Sequence, residues 1–214
     1  MKDFAFISDF DGTLTKKDFY KILSETYYKE ELKPIYDSWK NGEMKDVEYL
    51  GYVFNNVRRN ETELYEDILN IDFDPTAKAF IEQVKAAGGD FIVISAGSSY
   101  YIDKVFEKHH IDGVDVYSNK CIFKDNGIYF DLDEHDEFYS DRYGIDKLIV
   151  VEKLKANYKK VFYAGDSGPD LQPALVSDVV FAKGKLVELL KKEKKEFIEF
   201  ETFSEVWDKL KKYL

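Results

Sequence analysis

The sequence predicts an α/β protein: a parallel sheet covered by helices on both faces, with a small helical block inserted near its start. Three observations carry that expectation. Short apolar runs, too brief for helices, recur along the chain, and Phe4 to Asp9 is the first. After residue 75 such runs alternate with segments of helical periodicity, an order that implies parallel strands joined by right-handed crossovers. Between the first two runs, residues 16 to 74 carry helical spacing alone.

The elements follow in order. Phe4 to Asp9 reads as a buried strand. Phe19, Ile22, Leu23, Thr26 and Tyr27 then recur at helical spacing, with Pro34 expected to end that helix. Met44, Val47, Leu50 and Phe54 mark a second helix, and Asn60 is placed to cap a third through Leu64 and Ile68. The pair Asp74 and Pro75 opens another helix through Ala79, Phe80 and Val84, closed by Gly88 and Gly89. "FIVIS" (91–95) is a second strand, followed by the small, polar "AGSS" and a helix around Tyr101 to His109. "VDVYSN" suggests a third strand, and "CIFKDNGIYF" a hairpin turning at Asn126 and Gly127. A helix carrying Ile145, Leu148, Ile149 and Leu154 leads into "VFYAGDS", a fourth strand, and "DVVFAK" and "FIEFET" supply two more. The expected organisation is a Rossmann-like core of residues 1–15 and 75–214 with an inserted helical domain at 16–74.

Composition narrows the function classes. The 214 residues are 44% hydrophobic and 34% charged, ordinary for a globular protein, and long enough for a full core. A net charge of −11 repels nucleic acid and anionic membranes, so neither is an expected partner. An anionic substrate must be held by local positive charge. The single cysteine, Cys121, excludes an intrachain disulfide and a multi-cysteine metal site. No apolar run approaches the ~18 residues of a membrane span. The first strand begins too early to leave room for a signal segment, so the cytoplasm is the expected location, as a monomer or homodimer.

In open parallel sheets ligands bind beyond the carboxyl ends of the strands. Three strands end in residues suited to the same chemistry, with Asp9 and Asp11 after the first, Ser95 after the second, and Asp166 and Asp170 after the fourth. Residues at i and i+2 of an extended segment share a face, so Asp9 and Asp11 can converge, with Gly12 turning the chain away. Carboxylates gathered in this way repel one another, and a hard divalent cation relieves the repulsion. Magnesium, with its preference for oxygen ligands and phosphate, suits them. A carboxylate can also attack phosphorus, and a second one nearby can protonate the leaving oxygen and later activate water. Ser95, the backbone N–H groups at Ala96 and Gly97, and Lys147 at the start of its helix are candidates to hold the phosphoryl oxygens.

The same residues carry a family resemblance. "DFDGTLT", "VISAG" with Ser95, Lys147, and "GDSGPD" at 165–170 resemble, in order, the four motifs of the haloacid dehalogenase superfamily of phosphatases. The resemblance implies that Asp9 is the nucleophile and Asp11 the general acid and base. It further implies that Asp9, the backbone carbonyl of Asp11, and Asp166 hold Mg2+, that Asp170 supports the ion directly or through water, and that Ser95 and Lys147 bind phosphate. The block at 16–74 sits where that superfamily inserts a helical cap that selects the leaving group. Within the superfamily, "GDSGPDLQPA" and the size of the block resemble the methionine-salvage phosphatases acting on 2-hydroxy-3-keto-5-methylthiopentenyl 1-phosphate. Phosphoserine and phosphocholine or phosphoethanolamine phosphatases are neighbouring groups. The chain departs from the salvage group before Lys147, where "EFYSDRYGIDK" carries no cysteine. The implied substrate is a small phosphorylated metabolite, with a phosphotransferase or a non-catalytic metabolite-binding regulator as the alternatives.

Several residues have plainer readings. Asp18, nine positions after Asp9, either contacts substrate at the mouth of the cap or N-caps the first helix. Tyr20, Tyr27, Trp39, Tyr49 and Tyr52 either line the cap or form its small core, which is the commoner role. His135, in the acidic loop "DLDEHDEF", reads as a solvated loop residue, and Cys121 as strand packing.

Overall fold

A computed structural model describes residues 1–214. Six strands form one parallel sheet: β1 (Lys2–Ser8), β2 (Asp90–Ser98), β3 (Asp115–Asn119), β8 (Tyr158–Gly165), β9 (Val179–Ala182) and β10 (Ile198–Glu199). Their spatial order is β10-β9-β8-β1-β2-β3. The remaining strands make two antiparallel hairpins, β4 (Cys121–Lys124) with β5 (Gly127–Phe130) and β6 (Tyr139–Ser140) with β7 (Gly144–Ile145). The chain winds outward from β1 in both directions, so β1 and β8 flank the topological switch point, where the crevice of such sheets opens. The expected Rossmann-like α/β fold is what the chain adopts.

The central strands are apolar at consecutive positions because both faces are covered. In β1, Phe4 and Phe6 belong to one apolar cluster, while Ala5 and Ile7 belong to another. The first face packs against α5 (Ala77–Ala86), α6 (Ser99–Lys108) and α10 (Phe203–Leu210), and the second against α7 (Lys147–Lys155), α8 (Leu171–Val176) and α9 (Gly184–Glu193). Phe6 is fully buried with Phe80 edge-on at 4.7 Å and Phe91 stacked at 5.9 Å. Rings at those separations contribute beyond their burial alone.

The helical block comprises α1 (Phe19–Tyr27), α2 (Lys29–Lys40), α3 (Asp46–Asn55) and α4 (Glu61–Leu69). Its entry and exit segments pair with each other: Lys16 N donates to Asp72 O at 2.9 Å and Asp74 N to Leu14 O at 2.8 Å, around a Thr15–Phe73 bridge. Phe19, Val53, Phe54, Leu64 and Ile68 continue the same apolar cluster as the Phe6 face of the sheet. As expected, Asn60 caps α4, accepting from Glu63 N at 3.0 Å, and the Glu63 carboxylate returns the bond to Asn60 N.

Four local expectations shift. Pro34 does not end the first helix but lies inside α2. The break falls at Tyr28, whose φ of −157° and ψ of 36° leave the helical region, while its hydroxyl donates to the Val53 carbonyl and docks α2 on α3. The hairpin turns at Asp125 and Asn126, both with positive φ (49° and 58°), as a two-residue type I′ loop requires. Gly127 instead pairs with Lys124, and a Cβ there would meet the Asn55 carbonyl at 2.6 Å, so glycine lets β5 close on α3. β2 runs on through "AGS" to Ser98, which caps α6 by accepting from Tyr100 N at 3.1 Å. Ile145 belongs to β7, and α7 starts only at Lys147, after Asp146 accepts from Leu148 N and Ile149 N. No helix is long and apolar enough to cross a membrane.

Candidate active site

Asp9 follows β1 and Asp166 follows β8, neighbouring strands paired through Ser8 and Ala164. That pairing brings the two aspartates to one rim of the sheet. Gly12, with φ +75°, turns the first loop back, and a Cβ on it would lie 2.5 Å from Asp166 Oδ2. Glycine is therefore what lets the two motif loops touch. Carboxylate oxygens of Asp9, Asp166 and Asp170 lie within 4.8 Å of one another, the one acidic or histidine grouping within metal-ligating reach. His135 is exposed and outside it.

Lys147 is the cation of this cluster. Its Nζ donates to Asp9 Oδ1 at 2.7 Å and to Asp170 Oδ1 at 2.8 Å, and all three side chains are buried. Burial works against its charge, but the carboxylates of Asp170 and Asp9 outweigh that and hold its pKa above the ordinary lysine value. Burial pushes the Asp9 carboxyl well up, helped by Asp170 and Asp166 and opposed by Lys147. For Asp166, burial with repulsion from Asp170 and Asp18 raises the carboxyl to about 7.

The oxygens are unequally engaged. Asp170 Oδ1 accepts from Lys147 and from Tyr163 Oη at 2.8 Å, and its Oδ2 accepts from Asp166 N and Ser167 N, each at 3.0 Å. Asp170 thus knits the 166–170 loop to Lys147. Asp166 Oδ1, by contrast, is buried with no hydrogen-bond partner. Asp9 Oδ2 has only a long bond from Thr13 Oγ1, 3.3 Å. A buried acceptor without a donor is costly, and a bound cation removes that cost.

The Asp11 side chain turns away from this cluster and bridges the helical block and the core: Oδ1 accepts from Phe19 N at 2.9 Å, and Oδ2 accepts from Tyr101 Oη on α6. Burial and Asp18 raise its carboxyl to about 6, against the pull of those two donors. Asp18 stands at the N-cap position of α1 but its side chain makes no capping bond, and the first N–H of the helix, that of Phe19, is taken by Asp11. The Asp18 carboxylate pairs with Lys21 at 2.6 Å instead and lines the cavity. Ser95 is buried, and its Oγ accepts from Gly97 N at 3.0 Å, at the irregularity of β2 where the pairing with β3 shifts between Ser95 and Ser98.

These residues line a cavity of about 520 Å³, room for a small metabolite. Asp9, Asp11, Asp18, Ser95, Ala96, Gly97, Lys147 and Asp166 face it, and Asp170 sits behind them. The far wall comes from the helical block, including Tyr20, Lys21, Trp39, Leu50 and Phe54. Of the five aromatics considered from sequence, Tyr20 and Trp39 reach the cavity; Tyr49 stacks on Trp39 at 4.3 Å and is fully buried. Cys121 is half-buried in β4, and burial pushes its thiol up to about 12, in keeping with packing.

Sequence reasoning missed Tyr101, Arg142 and Tyr143, which also line the cavity. Tyr101 lies in the first turn of α6, directly after the strand that carries Ser95 and Gly97, and that nearness to the motif could have drawn attention to it. Arg142 and Tyr143 sit in the β6–β7 hairpin just before Lys147, where Arg142 Nε donates to Asp46 of α3 at 2.8 Å. Nothing in the sequence marks that contact.

A family model described as haloacid dehalogenase-like hydrolase matches residues 6–174. The 2-hydroxy-3-keto-5-methylthiopentenyl-1-phosphate phosphatase of an Exiguobacterium species is 25% identical over 203 residues, covering 94% of each chain. The polyol phosphate phosphatase of Saccharomyces cerevisiae is 27% identical over 237 residues, covering 97% of this chain and 92% of its own. A solved phosphoserine phosphatase complex with bound substrate aligns at TM-score 0.70 and 19% identity over 97% of this chain and 98% of its own, a likeness of fold.

Proposed function

The chain belongs to the haloacid dehalogenase-like hydrolase family, and within it we propose a magnesium-dependent phosphatase of small phosphomonoesters that works through an aspartyl phosphate on Asp9. The observation that carries this reading is Lys147 tying Asp9 to Asp170 beside an unpartnered Asp166 oxygen, at the floor of a metabolite-sized cavity.

The residues fit a hard divalent cation. Asp166 Oδ1 and Asp9 Oδ2 are the oxygens with capacity to spare, all donors are oxygen, and no backbone N–H donates to the Asp11 carbonyl. We assign Asp9, Asp166 and the Asp11 carbonyl as ligands. Asp170, whose oxygens are already saturated, acts on the ion through water or through the loop it braces. When bound, magnesium lets Asp9 and Asp166 stay ionised side by side and offsets charge on the phosphoryl oxygens.

The protein's own groups do the rest. Lys147 orients the Asp9 carboxylate and, with Ser95 and the Ala96–Gly97 backbone, holds the phosphoryl group in line for attack. As Asp9 bonds to phosphorus and the ester P–O bond breaks, Asp11 gives its proton to the departing oxygen. Asp11 then takes a proton from the water that attacks the aspartyl phosphate, releasing phosphate and restoring Asp9. A carboxyl raised to about 6 is suited to both directions near neutral pH. Residues 16–74 act as a cap domain on the core of 1–15 and 75–214, hinged at the paired 14–16 and 72–74 segments, and exclude water from the intermediate.

The names of the curated relatives specify a methylthiopentenyl phosphate and polyol phosphates. The salvage phosphoester is the leading candidate here, because the resemblance of the "GDSGPDLQPA" loop points the same way. The test is phosphate release with Mg2+ over a panel holding that phosphoester, sugar-alcohol phosphates, phosphoserine and phosphocholine. Turnover of at least one member, stopped by excess EDTA, is expected; binding without any phosphate release across the panel would instead make the chain a non-catalytic regulator.

A further inference from the structure

We propose that Tyr101 is a positioning residue for Asp11: its buried hydroxyl holds the carboxyl so that the proton is delivered to the leaving-group oxygen. The proposal rests on the reading of Asp11 as the general acid.

Packing explains the ring of Tyr101 but not its hydroxyl. The ring is 1% exposed and sits among Phe10, Phe19 and Phe54, with centroids 6.0, 4.9 and 6.1 Å away. Phenylalanine would fill that space without burying a polar group, and a buried hydroxyl is tolerated only with a partner. The partner here is Asp11 Oδ2. A second observation comes from a different segment. A Cβ on Gly97 would stand 1.8 Å from Tyr101 Oη and 2.6 Å from Asp11 Oδ2, so the motif loop lacks a side chain at the point where the two groups meet.

The two oxygens of Asp11 are held from opposite sides. Phe19 N, the first N–H of α1, binds Oδ1, while Tyr101 from the core helix α6 binds Oδ2. Together they fix the plane of the carboxyl. Without the tyrosine hydroxyl, only the helical block would hold it, and the carboxyl could rotate about its remaining contact. In the first step Asp9 forms a bond to phosphorus, the ester bond breaks, its electron pair goes to the leaving oxygen, and the Asp11 proton goes with it to give the free alcohol. A misaligned carboxyl harms that transfer most when the leaving oxygen is basic.

The experiment compares kcat/KM for phenyl phosphate and p-nitrophenyl phosphate, esters of nearly equal shape whose leaving groups differ in their need for a proton. For Tyr101→Phe, phenyl phosphate should lose about tenfold or more, p-nitrophenyl phosphate less than about threefold, following the size of general-acid effects. Tyr101→Leu, which also removes the hydroxyl and leaves the residues around Asp11 otherwise unchanged, should show the same preference and carries the test if Tyr101→Phe does not fold; Gly97→Ala cannot replace it, because its Cβ would press on Asp11 Oδ2 as well as on the hydroxyl. Equal losses on both esters, or none, overturn the proposal and leave the hydroxyl a structural role. Asp11→Asn separates the two assignments: if it too treats both esters alike, the reading of Asp11 as general acid fails, and not only the part given to Tyr101.

Discussion

Lys147 donates to Asp9 at 2.7 Å across 138 residues of sequence, and the same ammonium reaches Asp170 at 2.8 Å. One cation therefore balances two buried carboxylates, and Asp166 stands beside them without a positive partner of its own. The site combines excess negative charge with low exposure, and that imbalance has measurable consequences.

Removing the cation should be expensive. Lys147→Met leaves Asp9 and Asp170 buried without compensation, a change that typically costs about 3–5 kcal/mol. Urea melts should show that loss growing as pH rises, because protonation of the buried carboxylates relieves it at lower pH. A loss below about 1 kcal/mol at pH 8 would mean that the pair contributes no charge compensation.

Stability should depend on pH in an unusual direction at this site. Asp11 and Asp166 have folded pKa values of about 6 and about 7, above the carboxylate value of 3.8. Between pH 4 and 7 the folded chain thus binds more protons here than the unfolded one, so these groups lose stabilisation as pH rises through their folded pKa. In chelator, Asp166→Asn should lose less stability than the unsubstituted chain between pH 5 and pH 8. Added Mg2+ should raise the melting temperature more at pH 8 than at pH 5, because protons and the ion compete for the same oxygens. Equal stabilisation at both pH values would contradict the assignment.

Asp9→Asn keeps the shape of the side chain and removes the nucleophile. Phosphate release should fall by about a thousandfold or more, while circular dichroism and the melting temperature stay unchanged or improve, since one like charge has gone. An undiminished rate would refute the nucleophile assignment.

Gly12→Ala tests how the two motif loops meet. Its φ of +75° is strained for alanine, at roughly 1–2 kcal/mol, and the new Cβ would displace the Asp166 carboxylate. Mg2+ affinity, read by calorimetry, should drop about tenfold or more, as it does when a ligand's support is disturbed. Unchanged affinity would show that Asp166 is not a ligand.

Much of the site was legible because its signals are local. An apolar run ending in Asp9 and Asp11, a glycine after them, and a second run ending before Asp166 and Asp170 state both the strands and the rim on which their carboxylates emerge. The alternation after residue 75 likewise states the α/β class, since periodicity is a property of each segment alone. The Pro34 expectation failed for the complementary reason. Propensity disfavours proline within a helix, but docking of α2 on α3 moved the break to Tyr28.

What the chain by itself determined, then, is which residues are acidic, small or apolar and which face of their own element they share. Only the tertiary structure decided that β8 lies beside β1, that Lys147 lands between Asp9 and Asp170, that the oxygens of Asp170 are already filled, and that Asp11 turns toward Tyr101 and Phe19. Most of those relations join segments from tens to more than a hundred residues apart. Their geometry is set by the packing of two apolar layers against the sheet, and no spacing along one strand or helix encodes it.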